Sequence, residues 1–596
     1  MRALDRKFAN LYQALNSNQR QAVDQIEGPV MVIAGPGTGK TQVLTLRIAN
    51  ILKQTDTPPD AILALTFTKS AAHNLRHRLV EIVGSAGYRV AIDTFHGFCN
   101  SIIKQYPEQF PRITGATNAL IVDQIRLLKK VMDEPLNPKG SGKSQLKLLR
   151  PINSPYYYLK PALRAIERIK KENITPAEFA KRLKDLPDSR PKKRSLELVK
   201  VYKGYEQALV RERFYDFNDM VLEVIRALRA DNSFLLELQE RFLYLLADEH
   251  QDANQSQNAI LELLSSFHPS PNLFIVGDEK QAIFQFQGAS LDNFNYFKRL
   301  YPQAKLVTLT DNYRSTQTIL DAASGLIMTG PSTSLRAGKL NAKSKRKEIP
   351  IIARSFATPA QEAAFLASRV KEQISSGVKS REIAVICRDN RDAWPIMEQF
   401  EREEVPFVVL SESDLFADTE IRKLVVLLEA IHYYGDDERL LKVLHFDFFN
   451  FPPLELWQLL EEKHRTKQSL YDLISKNKRF QNFSTLISGW RRLSFNAHFT
   501  DLLDRLVNES GFIKHLLVLP EATEKLDKLN FFFDQVRDLV EQKPRFTLAD
   551  FIAYIELLRE HDIAITRPPA PALRDGVWLL TAHKAKGLEF DYVYIA

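Results

Sequence analysis

The chain has 596 residues, 44% hydrophobic and 26% charged, with 82 Lys and Arg against 73 Asp and Glu for a net charge of +9. That length is several times the roughly 100–200 residues of one domain and predicts about three to five. The composition excludes global disorder, and the mild excess of base suits a polyanionic partner without identifying one.

In chain order, residues 29–34, 61–66, 243–247, 273–276 and 305–309 are short apolar runs bounded by turn or polar residues, the pattern of buried strands. Helix-like stretches follow them, at 41–53 and 70–83 for example, which predicts an alternating α/β sheet. From 98 to about 240 helical periodicity takes over, as in a helical insertion. Strand signal returns at 350–355 and 382–387. Residues 412–572 are again dominated by helical segments such as 420–432, 454–463 and 524–542, and 577–581 and the terminal DYVYIA are strand-like. No internal repeat of solenoid period is present, and 136–144 and 187–194 read as flexible loops. The two cysteines, Cys99 and Cys387, have neither disulfide nor metal-ligand spacing. No stretch approaches the roughly 18 apolar residues of a membrane span, and the N-terminus lacks an apolar export segment. A cytoplasmic protein with no membrane partner is expected.

The strongest chemical signal is Ala34-Gly35-Pro36-Gly37-Thr38-Gly39-Lys40-Thr41, placed after an apolar strand and before a helix-like run. Glycines let backbone N–H groups approach phosphates, and the following helix N-terminus favours negative charge. Lys40 would reach the β- and γ-phosphates of ATP and Thr41 would offer a hydroxyl to Mg²⁺. The first position is Ala, so the strict glycine form is not met, and the GSGKS at 140–144 lacks the preceding strand and reads as a loop. At 245–252, LLADEHQD, a strand ends in Asp248 and Glu249, where a Mg²⁺-coordinating carboxylate and a water-activating one are needed. After the next strand, GDEKQAIFQFQG places Gln281 to sense a γ-phosphate. Phe284 and Phe286 there are either a stacking platform for bases or strand core.

The ordered series LNSNQRQAV (15–23), AGPGTGKT (34–41), LTFTKSAA (65–72), DTFHGF (93–98), DEHQD (248–252), GDEKQAIFQFQGA (277–289), DNYRST (311–316) and TAHKAKGLEF (581–590) resembles the UvrD/Rep family of superfamily 1A DNA helicases. The resemblance implies an α/β fold of two RecA-like P-loop NTPase domains, each with a mostly helical inserted subdomain, facing each other across an ATP cleft. The first RecA-like domain is expected at 1–97 and 215–289 around an insertion at 98–214, and the second at 290–411 and 573–596 around an insertion at 412–572. By the same resemblance Gln19 reads the adenine edge, Tyr313 stacks on the base, Arg314 is an arginine finger, and Glu589 approaches the ribose. Thr66, Phe67, Thr94, Phe95, His96, Thr581, His583 and Lys586 match motifs that contact single-stranded DNA. Asp216, Phe217, Asn218 and Asp219 resemble the re-entry from the first insertion, with helix capping and packing as the alternative role.

The implied function is an ATP- and Mg²⁺-dependent motor moving 3′→5′ on single-stranded DNA and unwinding forked duplex in repair or replication. Three departures from the family pattern bear on it. Gln287 stands where an Arg is common and Phe284 and Phe286 where Tyr and Trp are; HFDFFNFPP occupies the place of a Gly-Ile-Gly duplex-binding turn; and the sequence ends six residues after Phe590, before the final motif. These leave open a translocase without unwinding activity, and a fragment or regulatory subunit that binds DNA without turnover.

Overall fold

The computed structural model describes residues 2–133, 146–281, 293–328, 339–409, 414–519, 522–543, 545–561, 563–566 and 575–596. The chain divides into two compact units, Met1–Ala353 and Arg354–Ala596. Among the described residues, no helix is long and apolar enough to cross a membrane.

The first unit contains β1 Val30–Ala34, β2 Ile62–Thr66, β3 Ala91–Thr94, β4 Thr117–Asn118, β5 Phe214–Tyr215, β6 Tyr244–Ala247, β7 Leu273–Gly277, β8 Lys305–Leu309, β9 Asp311–Asn312 and β10 Asn341–Ala342. Six of these form one parallel sheet in the order β3-β2-β6-β7-β1-β8. Strands β1, β2, β6 and β7 are buried along their whole length, because helices cover both faces. Alternate residues feed two separate cores. Met31, Leu63, Leu245 and Ile275 pack with helices Phe95–Gln105, Phe217–Ala230 and Gln255–Ser265, whereas Val32, Ala64, Leu246 and Val276 pack with helices Lys40–Gln54 and Lys69–Val83. The phosphate-loop sequence and the DEHQD segment both leave the sheet at its carboxyl edge, the edge where open α/β sheets bind ligands.

Between the two halves of this sheet lies an insertion of helices Ile121–Asp133, Leu159–Lys171, Pro176–Lys184 and Arg190–Arg211. Its entry and exit are paired, β4 running parallel to β5. Lys170, wholly buried, clamps it to helix Phe217–Ala230 with Nζ 2.8 Å from Glu206, 2.6 Å from Asp216 and 2.7 Å from Asp219.

Several expectations change. The insertion predicted from 98 begins after helix Phe95–Gln105, because Phe98, Cys99, Ile102 and Ile103 pack into the core beneath the sheet. The boundary predicted at 290 falls at 353/354, since β8 extends the first sheet beside β1 and β9–β10 stay with it. Residues 187–194 are not wholly loop: Ser189 accepts a hydrogen bond from the Lys192 amide and helix Arg190–Arg211 starts there, with Pro191 in the first turn where its missing N–H is harmless. The loop predicted at 136–144 lies outside the described residues.

The second unit carries a four-stranded parallel sheet of β11 Ile383–Cys387, β12 Phe407–Val409, β13 Val577–Thr581 and β14 Tyr592–Ile595, in the order β12-β13-β11-β14. Helices Pro359–Ser375 and Trp394–Arg402 pack on it through Leu366, Val370, Ile396 and Phe400. A helical subdomain runs from Thr419 to Glu560, closed at its base by an antiparallel bridge between Asp414 and Thr566. The strand predicted at 350–355 does not form. Pro350 removes a ladder donor, and Ile351 and Ile352 are exposed.

Candidate functional site

The segment after β1 turns through two left-handed glycines, Gly37 (φ +68°) and Gly39 (φ +87°), into helix Lys40–Gln54. Only glycine fits at 37, where a Cβ would stand 2.6 Å from the Cβ of Arg314. Buried Thr38 closes the turn by donating from Oγ1 to the Gly35 carbonyl at 2.7 Å. The helix N-terminus has no side-chain cap, so its first amides face outward from a positive dipole end, a ready anion site.

Two carboxylates approach this loop from the end of β6. The Asp248 amide donates to Leu65 O at 2.9 Å, and burial, then the neighbouring Glu249, pushes its carboxyl up to about 7. Glu249 takes a left-handed conformation (φ +47°), strained for a non-glycine residue. Three contacts hold it: its amide donates to Asp248 Oδ1 at 2.9 Å, and its Oε2 lies 3.1 Å from Lys40 Nζ and accepts from Gln251 Nε2 at 2.6 Å. Burial alone depresses the Lys40 pKa, but Glu249, Asp278 and Asp248 outweigh it and hold the ammonium above its ordinary value.

Gln251 is the hinge of this arrangement and was not singled out from sequence. Its Oε1 accepts from the amide of Asp278 at 2.9 Å, tying the end of β6 to the end of β7. Asp278, also buried, accepts from Gln281 Nε2 at 2.7 Å, and so Gln281 is positioned through Asp278. His250 turns inward instead, edge-on to Phe294 and Phe297.

On the other side of the loop, Gln19 forms a capping box with Asn16 and donates from Nε2 to the Thr38 carbonyl at 2.9 Å. The NYR sequence is clasped to the same loop. Asn312 donates to Pro36 O and accepts from the amides of Arg314 and Ser315 at 2.9 and 2.7 Å, and the Tyr313 amide donates to Gly37 O at 2.9 Å. The Tyr313 ring is 46% exposed and its hydroxyl accepts from Asn16 Nδ2 at 3.0 Å. Arg314 was expected on the second domain; it lies in the first unit, one residue from the glycine loop's clasp.

The residues expected to meet DNA separate into two kinds. Thr66 and Phe95 are buried, Phe95 in the core beneath the sheet, and Thr94 caps helix Phe95–Gln105 by accepting from the Gly97 amide at 3.1 Å. Phe67 is half-buried after β2. His96 and Phe217 come together as a stacked pair, ring centroids 3.9 Å apart and planes at 13°, with Phe217 52% exposed. Burial, then Lys171, pulls the His96 pKa down to about 4, so its ring is neutral at pH 7. Asp216 and Asp219 form the capping box of helix Phe217–Ala230 and so set the position of Phe217. Phe284, Phe286 and Gln287 lie outside the described residues. In the second unit Thr581 ends β13, with His583 and Glu589 exposed and Lys586 half-buried beyond it. Residues 445–453 fold into an aromatic knot, Phe449 on Phe483 at 4.8 Å and Phe451 on Phe480 at 4.8 Å.

A glycine loop at a helix N-terminus, a half-buried lysine and a strand-end carboxylate pair define a P-loop nucleotide hydrolase, here in a chain of two RecA-like α/β units each bearing a helical insertion. The family model for the UvrD/REP helicase N-terminal domain matches residues 15–302, and that for the UvrD-like helicase C-terminal domain matches 307–596. The chain is 28% identical over 600 residues to the ATP-dependent DNA helicase PcrA of Staphylococcus epidermidis, covering 98% of this chain and 78% of that protein. It is equally similar to PcrA of Staphylococcus aureus, covering 77% of that chain. The protein belongs to the UvrD/Rep-like superfamily 1A helicases.

Proposed function

We propose that this chain is an ATP-dependent DNA helicase that moves 3′→5′ on single-stranded DNA and separates duplex ahead of it. The observation that carries the reading is the Lys40–Glu249 contact beside buried Asp248, at the mouth of the glycine loop.

In this account Gly35 to Gly39 and the first turn of helix Lys40–Gln54 cradle the phosphates, with Ala34 and Pro36 framing the loop. Tyr313 offers its exposed ring to the base, beside Gln19. Mg²⁺ fits the hard oxygen donors of Thr41 and Asp248, and supplies neutralisation of the phosphate charge when bound. Lys40 leaves Glu249 for the γ-phosphate, which frees a carboxylate oxygen to take the proton of the attacking water. Gln281, oriented by Asp278, and Arg314, oriented by Asn312, stabilise the transferring phosphoryl group. Two free buried thiols, Cys99 and Cys387, fit a cytoplasmic setting.

A second reading, translocation without unwinding, is favoured by the aromatic knot at 445–453, whose rings pack inward where a duplex-binding turn is expected. Duplexes carrying a 3′ or a 5′ single-stranded tail separate the two. Unwinding of the 3′-tailed substrate alone supports the proposal. Displacement of a protein block from single strands with no duplex opened supports the second reading.

A further inference from the structure

Between Lys160 and Lys203 the sequence holds fourteen Lys and Arg against six Asp and Glu, so this part of the first insertion carries +8 of the chain's net +9. Helix Leu159–Lys171 buries Leu159, Ala162, Leu163, Ile166 and Lys170 along one stripe. Its opposite face presents Arg164, Arg168 and Lys171 at i, i+4 and i+7, the first two exposed and Lys171 half-buried. Among the described residues, none of these three is held in an ion pair. Half-buried Glu167 lies among them, its own carboxyl raised by burial first and lowered by the charges of Lys171, Arg164 and Arg168. Lys171 is close enough to His96 for its charge to act on the imidazole, so the stripe runs up to the His96–Phe217 stack. Lys181, Arg182, Lys184 and Arg190 extend the exposed basic surface on the next two helices.

We propose that the Arg164–Arg168–Lys171 face is a track for the sugar-phosphate backbone of single-stranded DNA, continuous with the His96–Phe217 stack. It rests on the DNA-motor reading and adds a contact that no motif of the family resemblance covers. From 164 to 171 the helix rises about 10 Å, which spreads the three cations along one stretch of the strand's backbone. Flexible, unpaired cations on a helix face read charge and not sequence, so the track tolerates any base order.

The test is the affinity of Arg164→Glu/Arg168→Glu and of the parent for a fluorescein-labelled oligothymidylate, by anisotropy across a salt titration. Far-UV circular dichroism and the urea midpoint verify that the variant is folded. Each lost phosphate contact removes about 0.7 from the slope of log affinity on log salt, so a slope shallower by about one to two is expected. An affinity loss of about tenfold or more at low salt accompanies it. Arg164→Gln/Arg168→Gln should fall between the variant and the parent. A parent that binds with a steep slope, matched by both variants, overturns the track and leaves the motor reading standing. Loss confined to a blunt duplex also overturns it. A parent that binds no oligothymidylate overturns the motor reading itself.

Discussion

Lys40 Nζ lies 3.1 Å from Glu249 Oε2, joining the phosphate loop to the end of β6 across 209 residues of sequence. One carboxylate oxygen is thus shared by the cation that a γ-phosphate would claim and the Gln251 amide that keeps Glu249 in its left-handed conformation. A phosphate that draws Lys40 away leaves Glu249 oriented and able to accept a proton, which is the geometry general-base catalysis requires.

Gln251 is therefore a positioning residue. Gln251→Ala removes a donor to Glu249 and strips the buried Asp278 amide of its acceptor, a loss of about 1–3 kcal/mol. Steady-state ATPase kinetics should show kcat down about tenfold or more with KM for ATP changed by less than about threefold. Equal changes in both would place Gln251 in nucleotide binding.

Arg314 is fixed through its backbone by Asn312 and stands beside Gly37. Arginine fingers contribute about 10³–10⁵ in rate in other nucleotide hydrolases. Arg314→Ala should collapse turnover while the affinity for a fluorescent ATP analogue stays near that of the parent. A loss of affinity as large as the loss of turnover would make Arg314 a binding residue only.

Burial and Glu249 raise the Asp248 carboxyl to about 7. The sign follows from a folded value above the unfolded one: the metal-free protein keeps this contribution to stability below about pH 4 and loses it as pH rises through about 7. A cation needs the ionised form, so Mg²⁺ binding should strengthen from pH 6 to 8 and release a proton at the lower end. Calorimetry in two buffers of different ionisation enthalpy measures that proton. Asp248→Asn should abolish both the proton release and its pH dependence, and affinity flat across this range would contradict the assignment.

Lys170 neutralises three carboxylates inside the first unit. Lys170→Met leaves them uncompensated, a loss of about 3–5 kcal/mol, read as a lower urea midpoint at unchanged slope. Lys170→Met/Asp216→Asn should recover part of that loss. A double variant no more stable than the single one would show that Asp216 is not part of the clamp.

The phosphate loop and the DEHQD carboxylates were legible in the sequence because each is a local pattern between a strand and a helix. The fully buried strands β1, β2, β6 and β7 were legible as unbroken apolar runs. Gln251 and Asn312 were not, since what they do depends on partners 27 and 276 residues away. The same non-locality misplaced the boundary at 290, for nothing in KLVTL announces that it pairs with β1. Four-residue β3 is too short to signal itself, and Phe95 reads as a DNA contact by motif yet packs into the core, because a motif does not say which neighbour faces outward.

The steady-state ATPase rate of this chain with and without single-stranded DNA, beside that of Glu249→Gln, tests the central claim most directly. Turnover should rise with DNA and fall by about 10²–10⁴ in the variant, with nucleotide still bound. Turnover that ignores DNA, or survives in Glu249→Gln, would contradict it.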